Sequence, residues 1–108
     1  MVFEFYKYQA TGNDFIIIDD RENLFNTTDS FLIKSLCERR MGIGADGLIL
    51  LRNHKKYDFE MIYFNKDGHE STLCGNGARC IVNFANVLEI ITNNSIFLAV
   101  DGIHEARI

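Results

Sequence analysis

Residues Cys74-Gly75-Asn76-Gly77-Ala78-Arg79-Cys80-Ile81-Val82-Asn83-Phe84-Ala85 decide the fold of this chain, because they turn a strand-like arm into the start of an enclosed helix. From Gly75 to about Ile91, the polar residues Arg79, Asn83, Asn86 and Glu89 recur every three or four positions, leaving apolar groups around most of the circumference. Such a helix must be surrounded by other elements, and its flanks read as short strands. The expected class is α+β: a mostly antiparallel curved sheet wrapped around one central helix, with one further helix. Cys80 faces inward on that helix and reads as packing. Cys74 stands just before its N-terminus, where unpaired N–H groups and the helix dipole favour negative charge and so stabilise a thiolate. Gly75 and Gly77 strip side chains from the first turn, which opens its amides to an anion such as a carboxylate. Taken without its neighbours, Cys74 reads as a buried structural cysteine beside a turn.

Immediately upstream, Asp58 to Asn65 reads as a strand with Phe59, Met61 and Tyr63 on one face and Ile62 and Phe64 on the other, central in a sheet. Asn65-Lys66-Asp67-Gly68 supplies turn chemistry, and His69 to Leu73 forms a short arm that delivers Cys74 to the helix, bringing Asn65 near it. His69 and Glu70 are expected on the solvated side of that arm. Downstream, Ile96 to Val100 and Ile103 to Ile108 flank Asp101-Gly102, a hairpin signal.

Near the start, Val2 to Tyr8 alternates as a strand, and Phe15 to Ile18 returns antiparallel to it across the turn cluster Thr11-Gly12-Asn13-Asp14. Asn13 at that tip reads equally as a turn residue and as a ligand contact. Thr28 or Asp29 caps a helix running to about Arg40, with Leu32, Ile33, Leu36 and Cys37 on its apolar side. Cys37 is expected in the core, and Arg39 and Arg40 at a solvated helix end. Gly42-Ile43-Gly44-Ala45-Asp46-Gly47 matches a dinucleotide-binding Gly-x-Gly-x-x-Gly, but that turn needs a strand before it and a helix after it. Here a helix precedes and the apolar run Leu48 to Leu51 follows, so the stretch reads as a helix-to-strand crossing.

The 108 residues contain no linker, and residues 1–108 are expected to form a single domain. The formal charge of −4 comes with scattered Lys and Arg, which argues against a nucleic-acid surface. The start fits neither a secretion signal nor a membrane span, so a cytoplasmic protein is expected. Three cysteines without Cys-x-x-Cys spacing argue against a disulfide framework and a structural zinc site.

Four motifs in order, Gly12-Asn13-Asp14-Phe15, Arg40-Met41-Gly42-Ile43-Gly44-Ala45-Asp46-Gly47, Phe64-Asn65-Lys66-Asp67-Gly68 and Cys74 to Cys80, resemble diaminopimelate epimerase across nearly the whole chain. That family works without pyridoxal phosphate and has two similar lobes, each a sheet around a central helix, with substrate in the cleft between them. The resemblance implies the N-terminal lobe alone. By resemblance Cys74 is one of two cysteines flanking the substrate α-carbon, the amides of Gly75 and Asn76 hold the α-carboxylate, and Asn13 and Asn65 add side-chain hydrogen bonds. The reaction implied is LL- to meso-diaminopimelate, in lysine and peptidoglycan precursor synthesis, with no metal and no cofactor. Gly47 departs from members that carry a side-chain amide there and contact substrate with it. The partner cysteine and the far-end substrate contacts belong to the other lobe, so little or no activity is expected of this chain alone. The competing reading is a non-catalytic binding or self-assembly module whose cleft face pairs with another copy, which predicts a homodimer. A thiol redox role for Cys74 and Cys80 is disfavoured, because six helical positions point the two apart.

Overall fold

The computed structural model describes residues 3–72 and 75–107. They form β1 (Phe5–Ala10), β2 (Asn13–Asp19), α1 (Ser30–Cys37), β3 (Gly47–Arg52), β4 (Phe59–Asn65), α2 (Gly75–Val87), β5 (Asn94–Ala99) and β6 (Gly102–Arg107). The six strands make one sheet whose spatial order follows the chain from β1 to β6. Three pairings are antiparallel, β1 with β2, β3 with β4 and β5 with β6, while the two crossovers, β2 to β3 and β4 to β5, are parallel. The class is α+β, with a mixed sheet.

This connectivity decides where the helices lie. Parallel crossovers in one sheet are almost always right-handed. Since β4 runs antiparallel to β2, two right-handed crossovers advancing in the same direction must put α1 and α2 on opposite faces. The core divides accordingly. Phe15, Ile17, Ile49, Leu51, Phe59, Met61 and Tyr63 face Cys80, Ile81, Phe84 and Ala85 of α2. Their neighbours Ile16, Ile18, Leu48, Leu50 and Phe64 face Ile33 and Cys37 of α1. The period-two alternation of strand side chains thus builds two cores from the same strands. Phe97 and Ala99 from β5 join the α2 side, and Tyr8, Ala10 and Ala106 from the edge strands pack against it. All six strands therefore contribute to the core on the side of this 13-residue helix, with β1, β2 and β3 packed most closely against it.

Both helices end earlier than their sequence patterns imply. Asp29 caps α1, accepting the Leu32 N–H at 3.0 Å. At the other end Glu38 is extended, and the chain folds back so that Ile43 and Gly44 donate to the Leu36 carbonyl and Ala45 to that of Cys37. Helix α2 stops where Glu89 takes a left-handed φ of 63°. Glu89 N–H then bonds the Asn86 carbonyl and Ile90 N–H that of Ala85, both at 3.0 Å, which is the Schellman pattern with Glu where Gly is usual.

Candidate active site

The sequence-predicted site residues that lie in the described regions collect at one end of the sheet. Thr11 and Gly12 form the tight β1–β2 turn, with φ of 48° and 85°, and Ala10 pairs with Asn13 across it. Asn13 is therefore the first residue of β2 and not a turn centre, so turn chemistry does not account for its amide. Phe15 lies opposite Gly47 at the start of β3, and Gly47 lies opposite Asn65 at the end of β4. Helix α2 starts from the same end with Gly75 and Asn76. Cys74, and with it the expected closeness of Asn65 to that thiol, lies outside the described residues.

The amide of Asn13 is held at both ends. Its Nδ2 donates to Asp46 Oδ2 at 3.2 Å, and its Oδ1 accepts from Asn76 Nδ2 at 2.7 Å. Asn65 uses its backbone for the following turn, donating to His69 and accepting from Gly68, while its side chain makes no hydrogen bond among the described residues. A Cβ built on Gly75 meets nothing within 4 Å, so the approach to the start of α2 is open on that side. His69 and Glu70 are both exposed, as expected, although Glu70 makes only an isolated bridge to Phe64.

A charged network buttresses this end of the sheet. Arg39 forks onto Asp14 at 2.8 and 3.0 Å and reaches Asp46 Oδ1 at 3.2 Å. Lys7 pairs with Asp14 at 2.9 Å and also donates to the Gly44 carbonyl. The backbone N–H of Asp14 donates to Asp46 Oδ2 at 3.1 Å, and that of Asp46 to Asp14 Oδ1 at 3.1 Å. Arg39 is exposed, as expected, with 57% of its side chain accessible, but it lies beyond the end of α1 and is paired with two carboxylates. The chain leaves α1 at Glu38 instead of continuing to Arg40, and this turns the guanidinium towards the β1–β2 turn. Sequence reasoning also missed Asp14 and Asp46, because their partners lie about 25 and 33 residues away and no local spacing joins them.

Arg39, by hydrogen bonding, holds the Asp14 carboxyl well below the usual carboxylate range, with Lys7 assisting. A depressed pKa gives stability that is complete above the unfolded value of about 3.9 and is lost as pH falls below it. We expect Asp14→Asn to lower the melting temperature by a constant amount from pH 5 to 8, and the gap to close progressively below about pH 4. Thermal unfolding followed by circular dichroism across that range checks this, and a gap independent of pH would show that Asp14 acts by packing alone.

At Gly47 there is no room for a side chain. A Cβ there would stand 2.7 Å from the Tyr63 ring and 2.8 Å from the Phe64 carbonyl oxygen. Tyr63 is wedged in place edge-on to Phe15, with ring centroids 6.1 Å apart. Cys37 and Cys80 are both buried, as expected. Burial pushes the Cys37 thiol up to about 11, so it is protonated and inert at neutral pH. A concavity of ≈ 530 Å³ lined by Glu4, Asp19, Arg21 and Asn53 opens at the far end of β2 and includes none of the candidate residues.

With this arrangement described, the sequence profile of one family, diaminopimelate epimerase, matches residues 5–102. The chain belongs to the diaminopimelate epimerase family. A diaminopimelate epimerase from Flavobacterium psychrophilum is 58% identical over 103 residues, covering 95% of this chain and 40% of that protein. One from Campylobacter jejuni subsp. jejuni serotype O:2 is 45% identical over 106 residues, 97% of this chain and 41% of its own length. The chain thus spans about 40% of the length of these two diaminopimelate epimerases. Among solved structures, a phenazine biosynthesis protein of the PhzF family from Enterococcus faecalis superposes with a TM-score of 0.76 at 10% identity, over 100% of this chain and 41% of its own. At that identity the likeness speaks for the fold alone. Diaminopimelate epimerases are isomerases, and the Asn13, Asn65 and α2 end of this epimerase-family chain is where its motifs converge. Among the described residues no helix is long and apolar enough to cross a membrane.

Proposed function

We propose that residues 1–108 act as one domain, the N-terminal lobe of a pyridoxal-phosphate-independent diaminopimelate epimerase, converting LL- to meso-diaminopimelate in the cytoplasm for lysine and peptidoglycan precursors. The observation that carries this is the gathering of Asn13, Asn65 and the open start of α2 at one sheet end, in a chain of this family. Cys74, one residue before that helix, takes or returns the α-proton on one face of the substrate carbon. A cysteine from the C-terminal lobe does the converse on the other face, so one proton leaves and one returns with no net redox change. Gly75 and Asn76 amides hold the α-carboxylate, where the helix N-terminus favours negative charge. That matters most as the α-carbanion forms, when charge builds up beside the carboxylate. The side chains of Asn13 and Asn65 fix the substrate's remaining polar groups, and no metal or cofactor is required by this residue set.

The test is isotopic. The chain alone, and the chain joined to the C-terminal part of the Flavobacterium psychrophilum relative, are incubated with LL-diaminopimelate in heavy water. Mass spectrometry should find deuterium at the α-carbon only with the joined protein. If the joined protein folds and incorporates none, the epimerase reading fails and a self-pairing, non-catalytic lobe takes its place.

A further inference from the structure

We infer that Asp46 is a positioning residue that sets the direction of an amide relay running from Asn76 through Asn13. A carboxylate only accepts hydrogen bonds, whereas an asparagine amide offers a donor at one end and an acceptor at the other. Asp46 Oδ2 lies 3.2 Å from the Asn13 side chain, so the atom facing it must be Nδ2. That choice turns Oδ1 of Asn13 towards Asn76, 2.7 Å away, and there the facing atom must again be the donor Nδ2. One carboxylate thus dictates the orientation of two amides in turn. The second amide belongs to the first turn of α2, more than 60 residues further along the chain.

Asp46 is itself held from several directions. Arg39 binds its other oxygen at 3.2 Å, the Asp14 backbone N–H donates to Oδ2 at 3.1 Å, and the Asp46 N–H is tied to Asp14. Rotation of the carboxylate would break the first two of these bonds together, while the third fixes the Asp46 backbone. The glycine-rich crossing between α1 and β3 therefore does work that its resemblance to a nucleotide turn conceals: it carries the acceptor that orients the asparagines. Among the described residues, the second Nδ2 proton of Asn13 and the Oδ1 and second Nδ2 proton of Asn76 are left without a partner. A reversed relay would present Asn13 and Asn76 with donors and acceptors exchanged.

The consequence for turnover rests on the epimerase reading, but the relay itself is measurable without it. In the 13C,15N-labelled chain, NMR should show through-hydrogen-bond coupling from Asn13 Nδ2 to the Asp46 carboxylate carbon, and Asp46→Asn should move the side-chain amide signals of both Asn13 and Asn76. Absence of the coupling in the unsubstituted chain overturns the proposal, whether or not the variant folds. For turnover, Asp46→Asn in the joined enzyme should lower kcat/KM by about 10²-fold, the cost of a misplaced binding group. In an Asn13→Ala background the same substitution should cost nothing more, because Asp46 acts through Asn13. Additive losses would overturn the positioning role and leave Asp46 a structural anchor. An inactive joined enzyme with the NMR signature intact would instead sink the epimerase reading and retain the relay.

Discussion

Epimerisation by the joined enzyme is expected to fall by about 10²–10⁴-fold when Cys74 is replaced by alanine, the range for loss of one acid/base group. The reaction needs a proton acceptor and a proton donor on opposite faces of the α-carbon, and alanine removes one of them without adding bulk. The other two cysteines cannot substitute. Cys37 lies in the α1 core on the opposite face of the sheet, with its thiol held protonated by burial, and Cys80 is buried at 2% exposure within the α2 core. Cys37→Ala therefore serves as the control: a loss of stability from the emptied core site, with turnover per folded molecule unchanged. Chiral chromatography of LL- and meso-diaminopimelate over time measures both variants. Retained epimerisation in Cys74→Ala would remove this thiol from the mechanism.

The largest effect on folding is expected at the opposite end of β2. Asp20 is 2% exposed, yet its carboxylate is fully used: Oδ1 accepts from the N–H groups of Leu24 and Phe25 at 2.9 and 3.0 Å, and Oδ2 from Arg52 Nε at 2.7 Å. Arg52 also donates to the Phe25 carbonyl at 2.8 Å, so one ion pair ties the loop after β2 to the end of β3. Asp20→Ala leaves two loop N–H groups and a largely buried guanidinium without their acceptor. Breaking a buried pair from one side costs about 3–5 kcal/mol, against a total stability of about 5–15 kcal/mol for a domain. Urea unfolding should place the variant's midpoint far below that of the parent, with Asp20→Asn between them because it keeps one acceptor. A shift of a few tenths of a kcal/mol would mean that water replaces the pair.

How much of this could be read beforehand depended on whether the determining contacts were local. The strands were visible because Phe15 to Ile18 and Leu48 to Leu51 are short continuous apolar runs next to glycine-containing turn clusters, which suits a strand buried on both faces. The central helix was visible from the three-to-four-residue spacing of Arg79, Asn83 and Asn86. The helix ends were not, because they are set by chain reversals: Glu38 leaving the helix so that Ile43 to Ala45 can cap it, and Glu89 entering the left-handed region. Asn13, Asn65 and Asn76 came to notice through the family motifs, and the structure gathers them at one sheet end. Arg39, Asp14 and Asp46 escaped because an ion pair across 25 residues leaves no periodic trace. The two parallel pairings were hidden for a related reason, since a crossover's direction is settled only once its helix is assigned to a face.

The wedge of Tyr63 against Gly47 has a historical consequence. With the Tyr63 ring 2.7 Å and the Phe64 carbonyl 2.8 Å from any Cβ at position 47, a lineage cannot acquire a side chain there in a single step without displacing its neighbour. Shrinkage at position 63 would clear the ring but not the Phe64 carbonyl, which is backbone, so a side chain at position 47 also requires the β3–β4 pairing to shift locally. Directed evolution starting from this chain would meet the same barrier, and libraries that randomise position 47 alone should return glycine.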